Sequence, residues 1–428
     1  MKIAIFAPMV RASAIGRMAA LTSRALVAEG RDVTIVRSES EELFDSDVHA
    51  VDVPHMRWTD QVQVDGLISE ADATIYHIGD NYGYHKGCLE WLPKRPALVC
   101  LHDFFLGGLF HLWGASRIAE AKDVLTSWYG PDAAEAFFNY PTVEAFIEGT
   151  KGAAPLTEWV AAMASGVITH SSWGLDRVLK SCPGPVRVVP LAYDRPAAID
   201  DLRPDKKADV FGILTIGNVN FNKRAESIIR AIASSPNLRS RAVYRLAGPI
   251  EANVEERLTT LAAENGVALV VSGEVNDQDL ARAILETDVV SCLRWPTLEA
   301  ASASAVEAML CGKPTLVTNA GFYSEIADAA VIKIDPENEI QDIASALERL
   351  SQDEDFGRAL GAAAKVWAEK TFSPENYARQ MVETAALANR AERVIAMTDY
   401  FAGLIEGWGG SDRSLRFMET IEPLEILR

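Results

Sequence analysis

Glu299 and Glu307 are the residues of this chain whose type and spacing point most directly to chemistry. Eight positions apart, at about 100° per residue, they would stand roughly 80° apart around a single helix, so they share no stripe. A better arrangement puts Glu299 in a loop and Glu307 about two turns into the following helix. A helix N-terminus then lies between them. The amides of its first turn, near Ala301, Ser302, Ala303 and Ser304, have no intrahelical partner and make an anion site. A diphosphate could rest there, with Glu307 accepting hydrogen bonds from a ribose diol and Glu299 facing a sugar. Spacing alone fits an ordinary βαβ connection with two solvated glutamates equally well.

The elements needed to hold that arrangement are legible around it, from Arg294 to Glu325. Trp295 to Glu299 reads as loop, and Ser302 to Leu310 as a helix rich in alanine that packs closely on a sheet. Gly312 stands where a C-terminal glycine cap belongs, and Pro314 follows. Pro314 to Thr318 is short and β-branched, the next strand. Gly321 permits a tight turn.

Upstream, the strand Phe211 to Ile216 runs into Gly217-Asn218-Val219-Asn220-Phe221-Asn222-Lys223-Arg224 and then an amphipathic helix. A strand, a glycine turn and two cations at a helix start form a phosphate site by position. Cations are unfavourable at a helix N-terminus, which favours an anion there over two cations on a solvated face. Near the N-terminus, Lys2 to Ala7, Arg17 to Glu29 and Asp32 to Arg37 read as an opening βαβ unit, whose first loop ends at Gly16. Two further strands, Ala73 to Ile78 and Ala97 to Leu101, end in loops that carry His77, Asn81 and His85, and His102 and Asp103. Ligands of open α/β sheets bind beyond such carboxyl ends. His102 also reads as a cap for the next helix, and His85 divides evenly between acceptor contact and structural loop residue. Residues 110–163 form a helical insertion with interleaved aromatics, a pattern more often core than a sugar-docking wall.

Glu299-x7-Glu307, then Ala308-Met309-x-x-Gly312-x-Pro314 and Gly321-x-x-x-Glu325, resembles the donor signature of retaining glycosyltransferases of family four, which have the GT-B fold. The resemblance covers about residues 1–390, closely in the second half and loosely in the first. It implies two Rossmann-like α/β domains facing across a cleft, with a C-terminal helix crossing back to the first. It also implies metal-independent transfer from a nucleotide diphosphate sugar, a co-substrate, with no cofactor. By the same resemblance Lys223 would hold the diphosphate, His102 would contact the donor sugar near the reacting carbon, and Gly273 and Val275 would border the base. His102, Glu299 and Lys223 are then the catalytic candidates. His77, Asn81, His85 and Asp103 are the acceptor-side candidates. The sequence departs from the family pattern at Gly16, the single glycine of a usual pair. It departs again at Asn218, where arginine is usual, and at Arg224 and Ala300, where glycine is usual. Arg224 is expected to replace the missing guanidinium. Other readings of the fold are a phosphorylase, a nucleotide-sugar epimerase, or a module that holds the nucleotide without turnover.

Length and composition bound this reading. The 428 residues exceed one typical core. The expected division is 1–200, 201–374 and a returning segment 375–428, with a linker from Tyr193 to Asp209. Composition is ordinary for a globular chain, 49% hydrophobic and 24% charged. Net charge is 41 − 60 = −19, which disfavours nucleic acid and leaves membrane contact at most peripheral. The five cysteines are scattered without a C-x-x-C, as expected for a cytoplasmic protein without a zinc site. The acceptor class stays open among carbohydrate, lipid-linked and small-molecule alcohols.

Overall fold

A computed structural model describes residues 1–203 and 209–409. Residues 204–208 of the expected linker and 410–428 of the expected C-terminal segment lie outside the described residues.

Thirteen strands are described, in two sheets. The first holds β1 (Lys2–Ala7), β2 (Asp32–Arg37), β3 (His55–Arg57), β4 (Ala73–Ile78), β5 (Leu98–Leu101), β6 (Gly166–Thr169) and β7 (Val186–Val188), in the order β3-β2-β1-β4-β5-β6-β7. The second holds β8 (Phe211–Ile216), β9 (Ala242–Ala247), β10 (Ala268–Val271), β11 (Val289–Cys292), β12 (Thr315–Thr318) and β13 (Ile332–Ile334), in the order β10-β9-β8-β11-β12-β13. Neighbouring strands pair in parallel, as in Ile3↔Val33 and Val290↔Thr315. Central strands such as β5, β11 and β12 are buried along their whole length, which explains their mostly apolar sequence. Strand β3 was not expected. It is three residues long on an edge, too short to show an alternation.

Both sheets reverse their strand order, between β1 and β4 and between β8 and β11. Such reversals open a crevice at the carboxyl ends of the strands. The loops leaving β1, β4, β8 and β11 carry most of the residues singled out above.

The helix Pro374–Gly407 returns from the second domain to the first. Its Tyr377, Ala378, Met381 and Ala385 are buried in a hydrophobic cluster shared with Ile5 and Met18 of the first domain and Leu214 and Val290 of the second. The aromatics of 110–163 fall mainly in core. Phe110, Trp113, Phe137 and Trp159 are buried in one cluster, whereas Trp128 is exposed.

Candidate active site

The helix expected to follow Glu299 forms as Ala303–Leu310. Ser302 is its N-cap, with Oγ accepting the Ala305 amide at 3.3 Å. Gly312 closes it at φ +69°, a left-handed conformation natural to glycine. The amides of Ala301, Ser302, Ala303 and Ser304 donate to no protein acceptor among the described residues, as an anion-binding terminus requires.

Glu299 sits in the loop with both carboxylate oxygens bonded. Oε1 receives Tyr323 Oη at 2.5 Å and Arg294 Nε at 3.2 Å, and Oε2 receives the Leu298 amide at 3.2 Å. Arg294 is a site residue that sequence reasoning passed over. It is the second residue beyond β11, 9% exposed, and its Nη2 lies 3.4 Å from Ser304 Oγ at the helix start. The only signal was a lone cation at the carboxyl end of a buried strand.

Lys223 is buried and its Nζ donates to the Ile216 carbonyl. Gly217 makes room for it: at φ +83°, a Cβ there would stand 2.9 Å from Nζ. Burial, then the neighbouring Arg294 charge, holds the Lys223 ammonium well below its ordinary pKa. Asn218 is exposed at the mouth of the same turn.

Arg224 departs from expectation. Its backbone is left-handed, at φ +59°, which suits the glycine usual at this position. Its guanidinium turns to Glu339, with Nε–Oε1 at 2.8 Å and Nη2–Oε2 at 2.7 Å. Both line a polar cavity of about 840 Å³ with Pro336 and Asn338. The structure therefore brings Arg294, not Arg224, beside Lys223, because the buried Glu339 claims Arg224. Arg224→Ala is expected to leave nucleotide affinity within about two-fold. It should lower stability by roughly 2 kcal/mol, since Glu339 is left buried without its cation and alanine, which keeps a Cβ, does not relieve the left-handed backbone. A nucleotide titration and a urea melt of the same variant check both halves.

On the facing domain, His102 follows β5 and docks against the Glu299 loop. Its carbonyl accepts the Ala300 amide at 2.9 Å, the Leu298 carbonyl accepts the amides of Phe104 and Phe105 at 2.9 and 3.0 Å, and Ser171 Oγ donates to the Ala300 carbonyl at 2.8 Å. Glu325, the last residue of the motif, receives Ser172 Oγ at 2.8 Å and the Trp173 amide at 2.9 Å. The Ala300 side chain, where the family has none, is buried inside this contact.

The acceptor-side candidates have mostly structural places. Asn81 caps the helix Tyr82–Trp91 through the Tyr84 amide. His85 lies inside that helix, not in a loop, fully buried and with neither ring nitrogen bonded. Asp103 accepts the Asp80 amide at 2.7 Å, and burial pushes its carboxyl up to about 7. His77 Nδ1 lies 2.9 Å from His102 Nε2, which ties the candidate catalytic ring to the floor of the cleft. Gly16 packs against Pro8, and its amide donates to Ser13 Oγ. Gly273 is left-handed and its carbonyl accepts the Gly248 amide, while Val275 packs on the core.

Burial, helped for His77 and His102 by repulsion from neighbouring rings, keeps this histidine group neutral. His77 and His85 are pushed down to about 3, His170 to about 4, and His102 well below its usual value. Unfolded, each titrates near 6.5. Between about pH 4 and 6.5 the unfolded chain therefore binds protons that the folded chain refuses, and stability falls as pH drops. Asp80, Asp103 and Glu307, raised mainly by burial, act in the opposite sense over part of that window. The lowered histidines, His49 among them, outnumber the raised acids, so stability is expected to fall on balance as the pH drops. Urea midpoints at pH 7, 6 and 5 should fall in that order.

Residues 199–367 match the family model described as glycosyl transferases group 1. No curated protein matches the chain. Among solved structures it is similar to sucrose-phosphate synthase from Thermosynechococcus elongatus (TM-score 0.61, 17% identity, 90% of this chain and 98% of that one). It is also similar to Anabaena HepE in complex with UDP and glucose (TM-score 0.58, 17% identity, 90% and 99%). A third likeness is WaaG, a glycosyltransferase involved in lipopolysaccharide biosynthesis (TM-score 0.57, 14% identity, 92% and 99%). The fold is α/β of GT-B type, and the match to residues 199–367 supports a glycosyltransferase enzyme.

Proposed function

We propose that this protein moves a sugar from a nucleotide diphosphate sugar to an acceptor hydroxyl, with retention at the anomeric carbon and without a metal. One observation carries the reading. Two buried basic side chains, Lys223 and Arg294, stand together, and Arg294 reaches Ser304 at the helix start, where the amides of Ala301 to Ser304 have no partner among the described residues.

Departure of the diphosphate builds negative charge on oxygen. Fixed donors in a buried site stabilise that charge most where it develops. Lys223, Arg294 and the helix amides would do this. Glu307, 3% exposed in the same helix, would hold the ribose. The Glu299 carboxylate is committed to Tyr323, Arg294 and Leu298, so it orients the sugar and does not attack it. That supports front-face attack by the acceptor. His102 would meet the sugar from the other domain. The contacts between the Glu299 loop and residues 102–105 must part for a donor to enter, so closure follows binding.

The test is titration with UDP, GDP, ADP and dTDP, followed by a search for slow hydrolysis of the matching sugar donor. UDP-glucose is the first to try, because HepE was crystallised with it. A ligand at 100 times its dissociation constant raises stability by about 2.7 kcal/mol. Absence of any nucleotide effect overturns the reading, and tight binding without hydrolysis or transfer reduces the protein to a nucleotide holder.

The state of Lys223 gives a further check. Its ammonium is disfavoured in the empty site, first by burial and then by Arg294, and a diphosphate would restore it. Binding is therefore expected to take up a proton. Calorimetric enthalpies should change with the ionisation heat of the buffer in the parent, and the dependence should shrink in Lys223→Met.

A further inference from the structure

Arg17 stands one residue beyond Gly16, in the first turn of the helix Ala14–Ala28. Its Nη1 donates to Glu307 Oε1 at 2.7 Å. Nε and Nη2 donate to Asp194 Oδ1 at 3.0 and 2.7 Å, and Nη2 also reaches the Asp194 carbonyl at 3.0 Å. The guanidinium carbon lies 4.6 Å from the centre of the Tyr193 ring. One guanidinium thus joins the first domain, the chain that leaves it, and the donor helix of the second domain.

The partner of Nη1 matters most. Glu307 is nearly inaccessible, and a buried carboxylate keeps its charge only with a partner. Arg17 is that partner here. On the reading that Glu307 receives the donor ribose, two ligands claim the same carboxylate. Arg17 has a second anchor on Asp194 and Tyr193, so it can give up Glu307 without being stranded. The ribose diol offers two hydroxyl donors in exchange.

We propose that Arg17 is a built-in competitor of the nucleoside. The ribose hydroxyls displace Nη1 from Glu307, and Arg17, still held by Asp194, lets go of the second domain. Arg17 then sets donor affinity and makes release of this interdomain tie a consequence of ribose recognition. It is a positioning residue, acting through Glu307.

The experiment compares the parent, Arg17→Ala and Arg17→Lys with UDP, GDP and ADP and with the 2′,3′-dideoxy form of each. Arg17→Ala is expected to bind the ribonucleotide about ten-fold more tightly than the parent, the scale of one charge-assisted hydrogen bond. Its affinity for the dideoxy form should change less than two-fold, because that ligand has no claim on Glu307. Arg17→Lys keeps the charge but loses the two-pronged hold on Asp194, so its ribose-to-dideoxy ratio should fall between the other two. It also serves if the alanine variant does not fold. Equal shifts for both ligand forms, or weaker ribonucleotide binding, overturn the competition and make Arg17 purely structural. If no diphosphate binds any of the proteins, the donor-site reading fails as well, and the two failures are told apart.

Discussion

Arg294→Ala is expected to lower turnover by roughly 10²- to 10³-fold, the loss that follows removal of one fixed donor to a developing oxyanion. The size follows from its surroundings. Arg294 is nearly fully buried, and its guanidinium bridges Glu299, the Leu293 carbonyl and Ser304 at the helix start. A charge in such a place is worth far more than one in water. Its loss also leaves Glu299 with no cation, held by Tyr323 and one amide. Arg294→Lys would keep a charge but not the planar fork that reaches Glu299 and Ser304 together, so it should recover only part of the rate. Nucleotide affinity should fall much less than kcat if the charge works mainly on the departing diphosphate. Near-parental kcat in Arg294→Ala would remove Arg294 from the machinery and leave Lys223 and the amides to act alone.

Ending the chain at Ser373 is expected to abolish cooperative folding. The helix Pro374–Gly407 buries Tyr377, Ala378, Met381, Ala385 and Ala388. Tyr377 and Met381 are wholly buried, and burying a side chain of that size contributes about 1.5–3 kcal/mol. With the three alanines and the uncovered partners among β4, β5, β6 and the helix Ala14–Ala28, the loss rivals the 5–15 kcal/mol that holds a typical domain folded. Circular dichroism melts and solubility of the truncated chain against the parent decide it. A sharp transition within a few degrees of the parent would show that the helix is dispensable.

The donor domain was legible because its signature is local: the cap, the glycine and the strand after Glu307 lie within about twenty residues and follow short-range rules. What was hidden depends on distance or on burial. Arg17 and Glu307 meet across 290 positions, which no window of sequence displays. The segment containing His85 has the glycines of a loop, yet Asn81 caps a helix there. Gly87 is a packing device, since a Cβ at that position would stand 2.4 Å from Trp58 Cγ. Arg224 misled for a related reason. Its place beside Lys223 suggested a shared anion, but a glycine-like backbone turns the side chain toward Glu339, far along the chain.

The seam between the Glu299 loop and residues 102–105 also gives the protein an internal clock. The amides of Phe104, Phe105 and Ala300 do not belong to a helix or a sheet ladder; each is protected by a carbonyl of the opposite domain. Their exchange with deuterium is therefore governed by how often the two halves separate, whereas amides within β5 or β11 report on unfolding of a core. The amides of Phe104, Phe105 and Ala300 should lose their protection together, well ahead of those in the strands that precede them. That shared protection measures how much of the time the empty enzyme offers its cleft to solution, without a substrate or a mutation.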